Sequence, residues 1–132
     1  MKALTQILSL ICILTLTACG DDPSKPYLKI VGGGFTNFVV QNIVTYSVAV
    51  KRIKALPAGS IIEATFDLPD SDRKYVTTEP ADPPKLGYLF ESEPLHGLKK
   101  GQELTVHLRL LQSAGGTVLA EFEKTFHSDA DQ

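Results

Sequence analysis

The stretch ELTVHLRLLQSAGGTVLAEFEKTFH occupies residues 103–127 and has the clearest strand pattern in the chain. Residues 103–112 alternate apolar and polar side chains, the pattern of a strand with one buried face. Residues 117–127 alternate in the same way, and Ser113-Ala114-Gly115-Gly116 between them predicts a turn. The stretch therefore predicts an antiparallel hairpin whose inward residues are Leu104, Val106, Leu108, Leu110, Val118, Ala120, Phe122 and Phe126.

The register of this hairpin is constrained by its own pattern. Pairing Gln112 with Thr117 would put an inward side chain opposite an outward one, whereas cross-strand neighbours share a face. We therefore expect a three- or five-residue register with a bulge at Gly115-Gly116. Either register forms a charge-paired solvent face from His107, Arg109, Leu119, Glu121 and Glu123.

Upstream of the hairpin the same period of two continues. It predicts strands over residues 27–31, 35–41, 43–54, 60–68, 73–79 and 86–92. In the last of these, Leu86, Tyr88 and Phe90 share the inward face. Gly32-Gly33-Gly34 is expected to permit a bend where the first strand crosses between sheets. No stretch after the N-terminal segment has a helical period, so the pattern predicts an antiparallel β-sandwich.

A second sequence feature bears on the same fold. The segment LKKGQELTV, residues 98–106, resembles the corner entering the penultimate strand of fibronectin type III and related immunoglobulin-like domains. In those domains a tyrosine usually stands where this chain has Leu104, and a core tryptophan lies earlier, whereas this chain has no Trp. The resemblance implies an all-β, immunoglobulin-like (fibronectin type III-like) antiparallel β-sandwich of about seven strands.

The N-terminal segment carries an export signal. Lys2 precedes an apolar run over residues 3–16, as in a secretory signal, and the run is shorter than the roughly 20 residues of a spanning helix. Leu16-Thr17-Ala18-Cys19 resembles the lipobox of bacterial lipoproteins, in which the last residue is lipidated and becomes the first of the mature chain. The resemblance implies a signal peptide over residues 1–18 and a diacylglycerol on Cys19. The alternative is a plain signal peptide with an incidental cysteine.

The remaining chain divides into a linker over residues 19–26, a β-sandwich domain over 27–128 and a polar tail over 129–132. The seven residues 20–26 span at most about 25 Å when extended, which keeps the domain near the membrane. In the lipoprotein class, Asp directly after the cysteine favours inner-membrane retention. Gly20 at that position favours the periplasmic face of the outer membrane, although Asp21 and Asp22 follow it.

Composition argues against several classes of function. The net charge is −2, and the longest basic run is Lys99-Lys100, so no nucleic-acid-binding patch is expected. Cys12 would leave with the signal and Cys19 would carry lipid, which excludes a disulfide or a cysteine-ligated metal. Gly32-Gly33-Gly34 lacks the residues of a phosphate-binding loop. The sequence therefore predicts a domain with no cofactor.

The residues that could perform catalysis or bind a metal are scattered. His107 and His127 are expected more than 10 Å apart at roughly 3.3 Å per strand residue, and His96 lies in a loop, so we expect no metal site. Glu91 and Glu93 share a strand face, as solvated acidic pairs commonly do. The aspartates that surround Pro69 fit turn chemistry better than a calcium loop, and they are Asp67, Asp70 and Asp72. We therefore expect no catalytic residue and a non-enzymatic protein.

The leading hypothesis is an envelope lipoprotein that binds a protein partner near the membrane surface. Its candidate site is an edge strand over residues 35–40, with Phe35 and Val39 exposed while Phe38 and Val40 point inward. The alternative is a carbohydrate, peptidoglycan or small-ligand binding domain. Its site would be formed by Tyr75, Tyr88 and the loop 80–84. An enzyme ranks third.

Overall fold

The computed structural model describes residues 24–69 and 71–129. This part of the chain forms seven strands in two antiparallel sheets and contains no helix. The strands are β1 (Leu28–Phe38), β2 (Ile43–Arg52), β3 (Ile61–Asp67), β4 (Lys74–Pro80), β5 (Gly87–Glu91), β6 (Glu103–Leu111) and β7 (Val118–His127). One sheet has the order β1-β2-β5 and the other β4-β3-β6-β7. The prediction of an all-β fold with about seven strands is confirmed. The signal peptide, Cys19, linker residues 19–23, Asp70 and residues 130–132 lie outside the described residues.

The core lies between the two sheets and is built by the alternating residues that the sequence singled out. Tyr46 of β2 is fully buried, and its ring meets that of Phe66 on β3 edge to face at 5.1 Å. Its hydroxyl donates a hydrogen bond to the carbonyl oxygen of Asp67 at 2.5 Å, so one side chain joins both sheets. The other buried inward residues include Val44, Val48, Val50, Ile62, Ala64, Leu104, Val106, Leu108 and Leu110.

The first strand differs from the prediction. Residues 27–31 and 35–41 are not separate strands, because β1 pairs with β2 along its whole length. The expected crossing between sheets at the glycines is wrong. Instead β1 contains a bulge at Val31, and Gly33 comes so close to β2 and β7 that a Cβ there would lie 2.3 Å from the Ser47 carbonyl oxygen and 2.8 Å from Phe126 Cζ. The strand ends at Phe38, since residues 39–42 form the turn into β2.

The final hairpin confirms the predicted charge pairing of its solvent face, but its register differs from the prediction. His107 lies opposite Glu123, and Arg109 lies opposite Glu121. The prediction that Gln112 and Thr117 do not pair is wrong, because the Gln112 amide donates to the Thr117 carbonyl oxygen at 2.9 Å. The bulge lies at Leu119 and not at Gly115-Gly116. Because β7 is an edge strand, its inward residues Ala120, Phe122 and Phe126 are only partly buried. The predictions for Val118 and Leu119 are wrong, because the bulge leaves Val118 exposed opposite Leu111 and packs Leu119 against the core.

Candidate binding surfaces

The predicted partner-binding segment lies on β1, which is an edge strand of the three-stranded sheet. Val39 is 79% exposed, as expected. Phe35 is not exposed: it lies opposite Tyr46, and the two rings stack with centroids 5.4 Å apart. Phe38 and Val40 are also placed opposite to expectation, with Val40 93% exposed. One residue inserted at Val31 shifts the alternation by one position, which reverses the faces of Phe35 and Phe38. Val39 and Val40 lie in the turn after β1, where both side chains are exposed.

The turn after β1 forms an apolar projection that we call the hairpin tip, residues 38–40. Phe38, Val39 and Val40 are all exposed, and none of them lies in the buried core. The turn is closed by Asn42, which has a positive φ of 53° and donates its amide to the Val39 carbonyl oxygen at 3.3 Å. Three consecutive exposed apolar residues make the hairpin tip a candidate contact surface.

A groove of about 300 Å³ lies beside β1, and we call it the edge groove. Phe35 and Phe126 form apolar walls, while Asn37, His127 and Asp129 supply polar groups. His127 Nδ1 lies 3.5 Å from the Glu103 carboxylate. An extended peptide that added to the edge of β1 could place a side chain in this groove.

The outer face of the four-stranded sheet is charged. It contains a shallow hollow of about 530 Å³ between β3, β6 and β7. Arg109 bonds to one Glu63 oxygen through Nε at 2.9 Å and Nη2 at 2.7 Å, and His107 Nδ1 lies 3.3 Å from Glu123. The charges of this face are therefore largely satisfied by one another, which is typical of a solvated surface.

The outer face of the three-stranded sheet is apolar. We call residues Val31, Ala49, Leu86, Gly87 and Leu89 the apolar patch, and together they line a shallow hollow of about 470 Å³. Leu86 is 82% exposed and Leu89 is 68% exposed. The prediction that Leu86 points inward is wrong, because β5 begins only at Gly87 and Leu86 precedes its alternation. Leu89 lies between the buried residues Tyr88 and Phe90 of β5 and therefore points outward.

Three of the residues considered for metal binding have other partners, namely His107, His127 and Asp67. In residues 24–69 and 71–129 no three His, Cys, Asp or Glu side chains cluster in a way that could hold a metal ion. His127 lies opposite Glu103, four residues along from His107, as predicted. Asp67 accepts a hydrogen bond from the Thr105 amide at 3.2 Å and forms an ion pair with Lys74, so it stabilises the end of β3.

The proposed acidic pair and the proposed sugar-binding tyrosines are not assembled into sites. Glu91 ends β5, whereas Glu93 lies beyond it and forms an ion pair with Arg73, so the two do not share a strand face. Tyr88 is buried, and Tyr75 is partly buried with its ring 6.1 Å from that of Phe66. Neither tyrosine presents a free ring face of the kind on which a sugar stacks.

Among the described residues, the strongest pKa shift is that of Tyr46, which lies in the core. Burial raises the pKa of the Tyr46 hydroxyl far above its ordinary value, and the charge of Asp67 adds to the effect. The hydroxyl therefore stays protonated at all pH values near neutrality and acts as a hydrogen-bond donor. This geometry assigns Tyr46 to stability and not to proton transfer.

No protein-family model matches the chain, and no curated protein shows significant similarity to it. Within the described ranges 24–69 and 71–129 there is no helix long and apolar enough to cross a membrane.

Proposed function

We propose that the chain is a lipid-anchored protein of the bacterial cell envelope whose non-enzymatic β domain binds a protein partner near the membrane surface. The observation that carries the binding role is the hairpin tip, residues 38–40, projecting beside the edge strand β1. The anchor is proposed from Leu16-Thr17-Ala18-Cys19 alone, and it would attach the chain to membrane lipid through acylated Cys19. Gly20 favours the periplasmic face of the outer membrane over the inner membrane.

We also propose that the domain is immunoglobulin-like, of the fibronectin type III-like kind. Two observations support this assignment. The first is the resemblance of residues 98–106 to the corner that precedes the penultimate strand of such domains. The second is the distribution of strands, since β1, β2 and β5 form one sheet while β4, β3, β6 and β7 form the other. Connections of this kind between two packed antiparallel sheets are typical of Greek-key sandwiches.

The partner would bind by adding an extended segment to β1. An edge strand offers a row of backbone groups for pairing, which supplies affinity, while neighbouring pockets supply specificity. The edge groove beside Phe35 would accept a side chain, and Val39 and Val40 would contact the partner beyond the end of the strand. At about 3.3 Å per residue, the 11 residues of β1 place the tip roughly 35 Å from the end at which the tether enters. The tip is therefore directed away from the anchor.

The test replaces Val39 with lysine. Val39→Lys puts a charge into the apolar contact and leaves the core untouched, so we expect the crosslinked partner recovered from detergent extracts of membranes to decrease at unchanged melting temperature. Val76→Lys is the matched control, because Val76 is also an exposed valine but lies on β4 of the other sheet. Equal recovery of the partner with both variants would contradict the proposed site.

A further inference from the structure

The apolar patch runs across all three strands of its sheet. Ala49 of β2 lies opposite Gly32 of β1 on one side and Leu89 of β5 on the other. Val31, the extra residue of the bulge, is 56% exposed beside them. The bulge therefore adds the apolar side chain of Val31 to the outer face. In a regular strand this part of β1 would contribute only Gly32, which has no side chain. A continuous exposed apolar surface of this kind marks an interaction site.

Two lysines lie at one end of the patch. Lys29 of β1 is directly opposite Lys51 of β2, and both side chains are exposed on the outer face. Like charges in this arrangement repel each other. None of the ion pairs found in the described part of the chain involves either lysine. The pair therefore presents positive charge that an anionic surface would complement.

The patch and the lysine pair lie at the end of the sheet where the chain enters. The Tyr27 carbonyl oxygen accepts a hydrogen bond from the Ile53 amide at 2.8 Å, and the Leu86 carbonyl oxygen accepts one from the Arg52 amide at 2.9 Å. The starts of β1 and β5 therefore flank the end of β2. Nine residue steps separate Cys19 from Leu28, which span about 30 Å at most. An anchor at Cys19 would hold this end of the sheet against the membrane.

We propose that the outer face of the three-stranded sheet docks on an anionic phospholipid bilayer. The apolar patch enters the interfacial region, and Lys29 and Lys51 contact the lipid headgroups. The inference rests on the proposed lipid anchor, which supplies a high local concentration of bilayer. Apolar burial and lysine attraction to anionic lipid reinforce each other in such contacts. In this orientation the charged face of the four-stranded sheet points away from the lipid.

Two other occupants fit this surface less well. A two-fold dimer through this face would bury Lys29 and Lys51 of both copies in one interface, where they would repel each other. The apolar residues 3–16 could cover the patch only in an unprocessed chain, since the proposed cleavage removes them. Both occupants are outcomes that the following experiment separates from a bilayer.

The chain contains no Trp, which allows one reporter to be placed on each face. Leu89→Trp reports from the patch, and Val76→Trp reports from an exposed position on the other sheet. The purified lipidated protein is reconstituted into phosphatidylcholine–phosphatidylglycerol vesicles whose acyl chains are brominated, because brominated chains quench Trp fluorescence inside a bilayer. We expect the Leu89→Trp reporter to be quenched and the Val76→Trp reporter to remain bright. In the Leu89→Trp protein, a further Lys29→Gln or Lys51→Gln substitution should lower the ratio of docked to undocked molecules about fivefold for each lysine removed.

The outcomes separate the docking from the anchor. If the protein floats with the vesicles while the Leu89→Trp reporter stays unquenched, the docking is wrong and the anchor stands. If the protein does not float and its mass shows no lipid, the anchor fails and the docking falls with it. If the Leu89→Trp side chain is shielded from solvent in the absence of vesicles, a molecule other than lipid covers the apolar patch. Concentration dependence then identifies a second copy, and loss of shielding on cleavage identifies residues 1–18. Either result overturns the bilayer proposal.

Discussion

The outer faces of the two sheets are built on the same alternation but differ in their chemistry. On the four-stranded sheet the outward residues are charged and pair with one another, as Arg109 does with Glu63 and His107 with Glu123. On the three-stranded sheet the outward residues include Leu89 and the repelling pair Lys29 and Lys51. The charges of the first face pair with one another, so this face needs no further partner than water. The second has both apolar surface and charge that a further molecule would satisfy, and this difference locates the proposed membrane contact.

The largest expected effect comes from a side chain added at Gly33, where β1 lies close to both β2 and β7. Gly33 has a φ of 141°, and a Cβ there would collide with the Ser47 carbonyl oxygen and with Phe126. Gly33→Ala should therefore lower the free energy of unfolding by about 3 kcal/mol, combining overpacking with backbone strain. Urea denaturation followed by circular dichroism measures the loss.

Gly34→Ala is the matched control for this variant. Gly34 has nearly the same φ, 143°, but nothing lies within 4 Å of its added Cβ. It should lose only the strain contribution, about 1 kcal/mol. Equal losses in the two variants would show that the close approach of β1 to β7 contributes nothing to stability.

The next effect concerns Tyr46, whose side chain joins the two sheets. Tyr46→Phe leaves the Asp67 carbonyl oxygen without its donor and should cost about 1 kcal/mol near neutral pH. Burial raises the pKa of Tyr46 above its ordinary value of 10.0, so the folded state keeps a proton that the unfolded state releases. The contribution of this group is thus full below pH 10 and falls as pH rises further. Chemical denaturation at several alkaline pH values should show a steeper loss for the natural protein than for Tyr46→Phe.

A smaller effect contrasts the two faces directly. Arg109→Met leaves the largely buried Glu63 carboxylate unpaired and should cost about 1 kcal/mol. Lys51→Met on the other face breaks no ion pair among the described residues and removes repulsion from Lys29, so stability should be unchanged or rise by about 0.3 kcal/mol. Thermal unfolding in low salt measures both variants. A loss for Lys51→Met as large as that for Arg109→Met would remove the distinction between the faces.

The sequence predicted the buried faces of β2, β3 and β6 because their alternation is uninterrupted. It failed in β1, where the bulge at Val31 reverses the face of Phe35 and Phe38, and no local residue pattern reveals where an edge strand accepts an extra residue. Leu86 was misplaced for a related reason, since the strand begins one residue later than the alternation indicated. The apolar patch depends on residues from three strands, so it emerged only once their order was known.

The most direct measurement of the orientation proposed here is thiol labelling on vesicles. Leu86→Cys and Glu121→Cys place one thiol on each outer face of the lipidated protein, and a membrane-impermeant maleimide is added before mass analysis. We predict a mature chain that begins at a diacylglycerol-modified Cys19, a Leu86→Cys thiol protected by vesicles, and a Glu121→Cys thiol that reacts equally with and without them. Equal labelling of both thiols on vesicles, or an unmodified Cys19, would contradict this prediction.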